Sequence, residues 1–360
     1  MAVHFHKLKV SKIKKETADC VSISFDIPPE LQQEFVFKEG QNITVKKEIN
    51  GEEVRRSYSI CAAPHENLLK VAVKAIEGGA FSMFANEVLK EGDELELLPP
   101  SGKFNAKLEA GKAGNFLAIA AGSGITPVIS IIKHTLQQHP QNTFTLVYGN
   151  RSRASIIFFE ELEALKNKFI NRFNMVNILS RERTDSDINY GRIDRAKLQS
   201  LDKLLHYEAF DSIYICGPEQ IIFAARDYLT DLGIGRNKIH FELFNTPGQD
   251  AERQQKVATE TDLAAGPKSK ITVKLDGRAF DFDLAQTGAS ILDAALQQGA
   301  DLPFACKGGV CCTCRAKLVS GEVHMDVNYA LEPEEVAAGF ILTCQSHPRT
   351  ENVEVDFDVK

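Results

Sequence analysis

The sequence predicts a multidomain chain with three folds in succession. An antiparallel β-barrel comes first, an α/β domain with an open parallel sheet second, and a small α+β module last. Three observations carry this reading. From Leu8 to about Pro100 apolar and polar residues alternate in short runs, "VSISFDI", "NITVKKEI", "RRSYSI", "LLKVAVKAI" and "DELELL". Period-two runs at this spacing build antiparallel barrels. From Asn115 buried strands alternate with helical stretches, in "NFLAIAAGSGITPVISIIKHTL", "TFTLVYGN", "FNMVNILS", "SIYICGPEQIIFAARDYL" and "KIHFELF", the pattern of a parallel sheet with crossover helices. The last ninety or so residues form a separate acidic, cysteine-rich unit.

The length of 360 residues suits two or three domains. With 43% hydrophobic and 25% charged residues the chain is globular rather than disordered. No apolar run reaches the roughly 20 residues that span a bilayer. The start, "MAVHFHKLKVSKIKK", is basic but has no apolar stretch or small-residue cleavage site, so no secretory signal is expected. The expected location is the cytoplasm, where clustered cysteines serve as metal ligands or redox groups more often than as disulfides. A net charge of -7 argues against nucleic acid as a partner.

The charge is uneven. From Ser269 to Lys360, eight Lys and Arg stand against fourteen Asp and Glu, so nearly all of the net charge lies there. A polar stretch without apolar period, "NTPGQDAERQQKVATETDLAAGPKSK", precedes it and reads as a linker. The acidic module suits a partner with a basic patch, the alternative being a device for solubility.

Within that module "CKGGVCCTC" places four cysteines in nine positions. Cys306, Cys311 and Cys314 are spaced C-x4-C-x2-C, and Cys344 lies far downstream. Structural zinc sites usually pair two C-x2-4-C knuckles. Three ligands from one loop and a remote fourth is the plant-type 2Fe-2S arrangement; zinc and a metal-free cysteine cluster are the alternatives. Gly308 and Gly309 let the loop wrap so that N–H groups aim at sulfur. Cys312 breaks the spacing and is expected to face away. Around the loop the sequence predicts a hairpin turning at Asp276-Gly277, a helix "SILDAALQQG" capped by Ser290 and ended by Gly299, and further short strands.

Three stretches earlier in the chain suit nucleotide binding. "AGSGIT" follows a buried strand and opens a helix, so its glycines bring backbone N–H groups close to a pyrophosphate, or simply make a tight turn. "EGGAFSMF" reads as a second phosphate cradle or an ordinary helix start. "RRSYSI" supplies charge, aromatic and hydroxyl in turn, and alone reads equally as a solvated strand.

Taken together, these stretches resemble a known family. "RSYS" is similar to the R-x-Y-S flavin motif of the ferredoxin–NADP reductase family, "GAFS" to its G-x-x-S motif, "GSGITP" to its nicotinamide-nucleotide loop and "CGP" to the motif that closes its nucleotide domain. The tail resembles the β-grasp fold of plant-type ferredoxins. Most similar are reductase subunits of multicomponent oxygenases with FAD first and ferredoxin last. The resemblance implies an FAD-binding β-barrel domain over 1–108, an NAD(P)-binding α/β domain over 109–245, a linker over 246–268 and a ferredoxin domain over 269–360.

The resemblance also implies roles. Arg56 pairs with the flavin pyrophosphate, Tyr58 packs on the isoalloxazine and Ser59 hydrogen-bonds at N5. Ser57, Val73 and Lys74 belong to the same cofactor-binding set. Gly79, Ala80, Phe81 and Ser82 hold the flavin phosphates. Gly122, Gly124 and Thr126 bind the pyridine nucleotide. Cys216, with Gly217 and Pro218, lies by the nicotinamide, so Ser59 and Cys216 form the catalytic pair; a buried strand-end cysteine is the plainer reading of Cys216. Glu242 and Phe244 match the family's terminal acid and aromatic only loosely and stay outside the set. The metal ligands are Cys306, Cys311, Cys314 and Cys344.

The implied cofactors are FAD, with FMN the alternative, a 2Fe-2S cluster, and NADPH in preference to NADH. Ser180 and Arg181 in "NILSRERTD", with Arg153 in "NRSRAS", suit a 2′-phosphate, where NAD sites place an acid on the ribose; arginines in solvated loops are the alternative. Hydride arrives as two electrons and a cluster takes one, so a flavin between them is chemically apt. Plant-type clusters lie near about −400 mV, which suits delivery to an oxygenase component, expected to be di-iron. A general electron carrier or diaphorase without a dedicated oxygenase is the competing function, and a structural protein without cofactors a third.

Overall fold

The computed structural model describes residues 4–106, 108, 112–244 and 267–359. The predicted linker therefore lies mostly outside the described residues. Its last position, Lys268, is already the first residue of a strand.

Six strands make the first sheet: β1 (His6–Thr17), β2 (Cys20–Asp26), β3 (Asn42–Ile49), β4 (Glu52–Ser59), β5 (Leu69–Lys74) and β6 (Glu94–Leu97). Their order is β4-β3-β6-β1-β2-β5, and every pairing is antiparallel. An antiparallel bridge from Ile60, just past β4, to Val71 in β5 joins the two edges and closes the barrel. Closure removes the edges that would otherwise present unpaired backbone groups. The inward residues of the alternating runs, among them Leu8, Ile23, Ile43, Val45, Val71 and Leu97, fill the interior. Helix α1 (Ala80–Glu87) follows the "EGG" turn and buries Phe81, Ser82 and Ala85.

The second sheet has β7 (Asn115–Ala121), β8 (Thr143–Asn150), β9 (Phe173–Leu179), β10 (Ser212–Gly217) and β11 (Ile239–Leu243), all parallel, in the order β11-β10-β7-β8-β9. Helices α2 (Ile125–Gln138), α3 (Phe159–Lys168), α4 (Arg195–Leu205) and α5 (Glu219–Asp231) are the crossovers. Two apolar layers, one on each face, cover the strands, which explains why β7 and β10 read as nearly continuous apolar runs. The chain runs outward from β7 to β8 and β9, then returns to place β10 on the other side of β7. The order of strands reverses there, and the carboxyl ends of β7 and β10 flank the crevice where open α/β sheets bind ligands.

The C-terminal unit is a mixed sheet, β13-β12-β18-β14-β16. It comprises β12 (Lys268–Leu275), β13 (Arg278–Ala285), β14 (Arg315–Ser320), β16 (Phe340–Leu342) and β18 (Asn352–Asp356), with β15 (Val323–Met325) pairing β17 (Ser346–Pro348) alongside. Asp276 and Gly277 both have positive φ, 53° and 67°, as a tight hairpin turn requires. Helix α6 (Ile291–Gln297) packs beneath the sheet, and its Ser290 hydroxyl accepts the Asp293 N–H at 3.2 Å. A short helix, α7 (Pro333–Ala337), follows the cluster loop. Among the described residues no helix is long and apolar enough to cross a membrane.

Candidate functional site

The crevice is built by close backbone approach. Gly124 follows β7, and a Cβ added to it would lie 2.1 Å from the Cys216 carbonyl oxygen at the end of β10. Only glycine allows these turns to meet. Gly122 has a φ of 53° and open space where a Cβ would project, so its backbone is accessible to a ligand. Thr126 donates to the Ser123 carbonyl at 3.0 Å and Tyr148 donates to that of Gly122 at 2.9 Å, fixing the loop. Gly217 has a φ of 156° and leads through Pro218 into α5. The site thus offers a rigid, glycine-lined cradle beside a helix start, the chemistry a pyrophosphate needs.

Across the crevice stands the end of β4. Tyr58 is half-buried, its ring 5.4 Å from that of Phe81 in α1, and burial pushes its hydroxyl above the usual range. Ser82 is folded into its own turn: its hydroxyl accepts the Ile76 N–H at 3.2 Å and lies 3.1 Å from the Gly79 carbonyl. Arg56 is exposed, with Nη1 donating to the Arg55 carbonyl at 2.8 Å. Val73 and Lys74 close β5, with Val73 buried and its carbonyl accepting from Asn86 of α1. An aromatic, a hydroxyl and a cation along one strand fit a flavin.

Sequence reasoning set Glu242 aside, and the structure places it at the centre. The hydroxyl of Ser59 donates to its carboxylate at 3.1 Å, although 183 positions separate them. In the parallel register of β10 and β11, Glu242 also stands opposite Cys216. Burial pushes the Glu242 carboxyl up to about 7, opposed by hydrogen bonds from Ser59 and Asn42. Burial first, and then the Glu242 charge, raises the Cys216 thiol well above its usual value. The thiol is therefore neutral, and a carboxyl poised to hold or release a proton lies beside the hydroxyl of Ser59. Phe244 packs partly buried against the same core. The available signal for Glu242 was its place at the end of the last strand of the sheet.

Ser180 and Arg181 follow β9, and Arg153 follows β8. The turns are tied together: Ser180 N–H donates to the Asn150 carbonyl at 2.9 Å, and Arg181 N–H to that of Arg151 at 2.8 Å. Arg181 and Arg153 are exposed, and the Arg153 guanidinium lies 4.7 Å over the Phe159 ring. The two arginines thus sit at neighbouring strand ends on the side of the sheet carrying the Gly122 loop.

The four cysteines of the C-x4-C-x2-C…C pattern converge. The Cys306 thiol interacts with those of Cys311 and Cys344, and Cys344 with Cys314 as well. Hydrogen bonds from Cys311 and Cys344 hold Cys306 well below the usual thiol range and push its two partners up. Gly308 N–H points at the Cys306 sulfur at 3.2 Å, and the Gln345 amide lies 3.5 Å from that of Cys344. Donors aimed at sulfur suit thiolate ligands. Gly309 has a φ of 73°, and a Cβ there would meet Val327 at 3.0 Å, so the loop is tight. Cys312 points elsewhere: its sulfur lies 3.3 Å from the Ala330 carbonyl, and burial pushes its thiol up to about 12.

The cluster loop rests on the barrel. Thr313, between Cys312 and Cys314, has its hydroxyl 3.5 Å from that of Thr44 in β3, which lies 3.3 Å from that of Ser57 in β4. Val310 packs on the nucleotide domain's core, and Tyr329 faces Phe223 of α5 at 6.3 Å.

Comparison with known proteins accords with this geometry. Models of the oxidoreductase FAD-binding domain match residues 7–106, of the oxidoreductase NAD-binding domain residues 118–227, and of the 2Fe-2S iron-sulfur cluster binding domain residues 273–349. The chain is 47% identical to a component of the 1,2-phenylacetyl-CoA epoxidase of Escherichia coli (strain K12), covering 99% of this chain and 98% of that one. It is 33% identical to a 3-ketosteroid-9-alpha-monooxygenase ferredoxin reductase component of Rhodococcus rhodochrous, over 97% and 96%. Among solved structures, phthalate dioxygenase reductase shares the fold with a TM-score of 0.57 at 23% identity, over 98% of each chain.

Proposed function

This chain belongs to the oxidoreductases that join FAD-binding, NAD-binding and 2Fe-2S domains, and from that premise we propose that it carries electrons from NADPH to the oxygenase component of a multicomponent system. The first candidate for that component is a phenylacetyl-CoA epoxidase, from the 47% identity over the full length. The 33% relatives make a steroid 9α-hydroxylase the second. The partner is proposed to be di-iron, and the compartment the cytoplasm, where cluster thiolates stay reduced.

One observation carries the reading. The loop bearing Cys311 and Cys314 reaches, through Thr313, Thr44 and Ser57, the strand that presents Tyr58 and Ser59. Two residues further along the same face of that strand, Ser59 meets the nucleotide crevice through Glu242. FAD supplies the conversion of a two-electron donor to one-electron delivery. Tyr58 supports the ring system, Ser59 orients toward it, and Arg56 neutralises the phosphates. Glu242 and Ser59 hold a proton at the crevice. Cys216 stays a neutral thiol that shapes the nicotinamide pocket. Cys306, Cys311, Cys314 and Cys344 hold the cluster, and Ser180, Arg181 and Arg153 read the 2′-phosphate.

The test is a purified protein assayed for flavin, iron and acid-labile sulfide, then reconstituted with candidate oxygenases. One FAD and one 2Fe-2S cluster per chain, with turnover of phenylacetyl-CoA in the presence of the epoxidase, are expected. Zinc without labile sulfide, or equal electron delivery to unrelated oxygenases, counts against the reading.

A further inference from the structure

Arg55 precedes the flavin-motif arginine and does something different. Its side chain is only 5% exposed, yet most of what buries it belongs to the C-terminal module. Nη1 donates to the Leu302 carbonyl at 3.1 Å and Nη2 to the Asp301 carboxylate at 3.1 Å. Nε donates to Glu53 in its own strand at 2.7 Å. The guanidinium carbon lies over two rings, 4.3 Å from the centre of Phe304 and 4.9 Å from that of Phe5. A buried charge persists only when paired and hydrogen-bonded, and here the module supplies two of the three acceptors and one of the two rings. Residues 301–304 lead directly into Cys306. Arg55 therefore grips the backbone that enters the cluster loop.

We propose that Arg55 is the positioning residue that seats the cluster-bearing module on the barrel, with Thr313 against Thr44. The inference rests on the electron path proposed above. The fork geometry matters: a guanidinium donates in three directions while its flat face packs on aromatic rings, which a lysine ammonium cannot do. The surrounding contacts are weaker supports, a Lys103–Glu335 ion pair at 2.5 Å whose lysine is 48% exposed, and the tilted ring contact of Tyr329 with Phe223 at 6.3 Å. Residues 245–266 join the module covalently, so losing the grip leaves it tethered at a high effective concentration. The expected effect is slowed transfer and not its abolition.

The test compares the full-length holoprotein with Arg55→Ala, Arg55→Lys and Asp301→Lys in anaerobic stopped-flow, following flavin and cluster absorbance after NADPH is added, and in small-angle scattering. Arg55→Ala should leave the flavin step unchanged and slow the flavin-to-cluster step about tenfold, equivalent to about 1.4 kcal/mol, while the radius of gyration rises. Arg55→Lys should fall between. Asp301, whose side chain is 81% exposed, can be changed without disturbing either core, and Asp301→Lys should slow the same step and expand the particle to a smaller extent. Unchanged cluster reduction and scattering in Arg55→Ala overturn the proposal. If Arg55→Ala loses its flavin through misfolding, wild-type behaviour of Asp301→Lys overturns it instead. A wild-type protein that takes no electrons from NADPH refutes the functional reading, and the scattering comparison still decides the seating.

Discussion

Replacing Glu242 by Gln tests the centre of the site through a property that does not depend on turnover. Burial pushes the native Glu242 carboxyl up to about 7, whereas in the unfolded chain a glutamate titrates at about 4.3. Between those values the folded state binds more protons than the unfolded one, so stability falls as pH rises. The contribution is fully present below the unfolded value and is gone once pH has passed through the folded one. From about pH 5.5 to about pH 8 the wild type should lose about 2 kcal/mol that the Gln variant, unable to ionise, does not lose. For a unit the size of the barrel and nucleotide domain together this is a differential shift of about 5 °C in Tm. Thermal melts followed by circular dichroism at both pH values, for wild type and Glu242→Gln, measure it. Because Gln still accepts from Ser59, packing is preserved, and the variant should lose turnover with NADPH while keeping FAD. Parallel pH profiles would refute the burial argument. A variant with wild-type kcat at every pH would remove Glu242 from the proton chemistry.

Other outcomes follow from the same geometry. Cys312→Ser should keep the cluster spectrum, because that sulfur faces the Ala330 carbonyl, whereas Cys311→Ser or Cys344→Ser should lose it and retain FAD; bleaching by Cys312→Ser alone would shift the ligand register by one residue. Arg181→Ala should raise KM for NADPH by about tenfold or more, the worth of one charge-assisted contact, and leave KM for NADH alone; equal effects on both would refute a 2′-phosphate contact. Gly124→Ala forces a methyl against the Cys216 carbonyl and should cost about 1–3 kcal/mol by overpacking, with nucleotide affinity falling further than that of Gly122→Ala; a thermal shift series and nucleotide titration check it.

What was legible in the sequence was whatever is local. The period-two runs of "NITVKKEI" and "LLKVAVKAI" became β3 and β5 because alternation alone fixes which face is buried. The C-x4-C-x2-C spacing located the cluster loop, and the positive φ of Gly309 is a requirement a loop that tight imposes on one residue. The glycines of "GSGIT" announced a close approach, though not that the approaching atom is the Cys216 carbonyl. What escaped was set by register and docking. Glu242 is only a loose match to a terminal acid in "FELF" until parallel pairing puts it opposite Cys216 and the barrel brings Ser59 to it. Arg55 reads as the neighbour of a motif until residues 246 positions away close over it. Both stand at seams between folding units, where no periodicity operates and a polar residue is kept by partners remote in sequence. Those seams are also where the proposed path must cross, from nucleotide crevice to barrel and from barrel to cluster. The residues hardest to read in the sequence are thus the ones on which transfer between its parts depends.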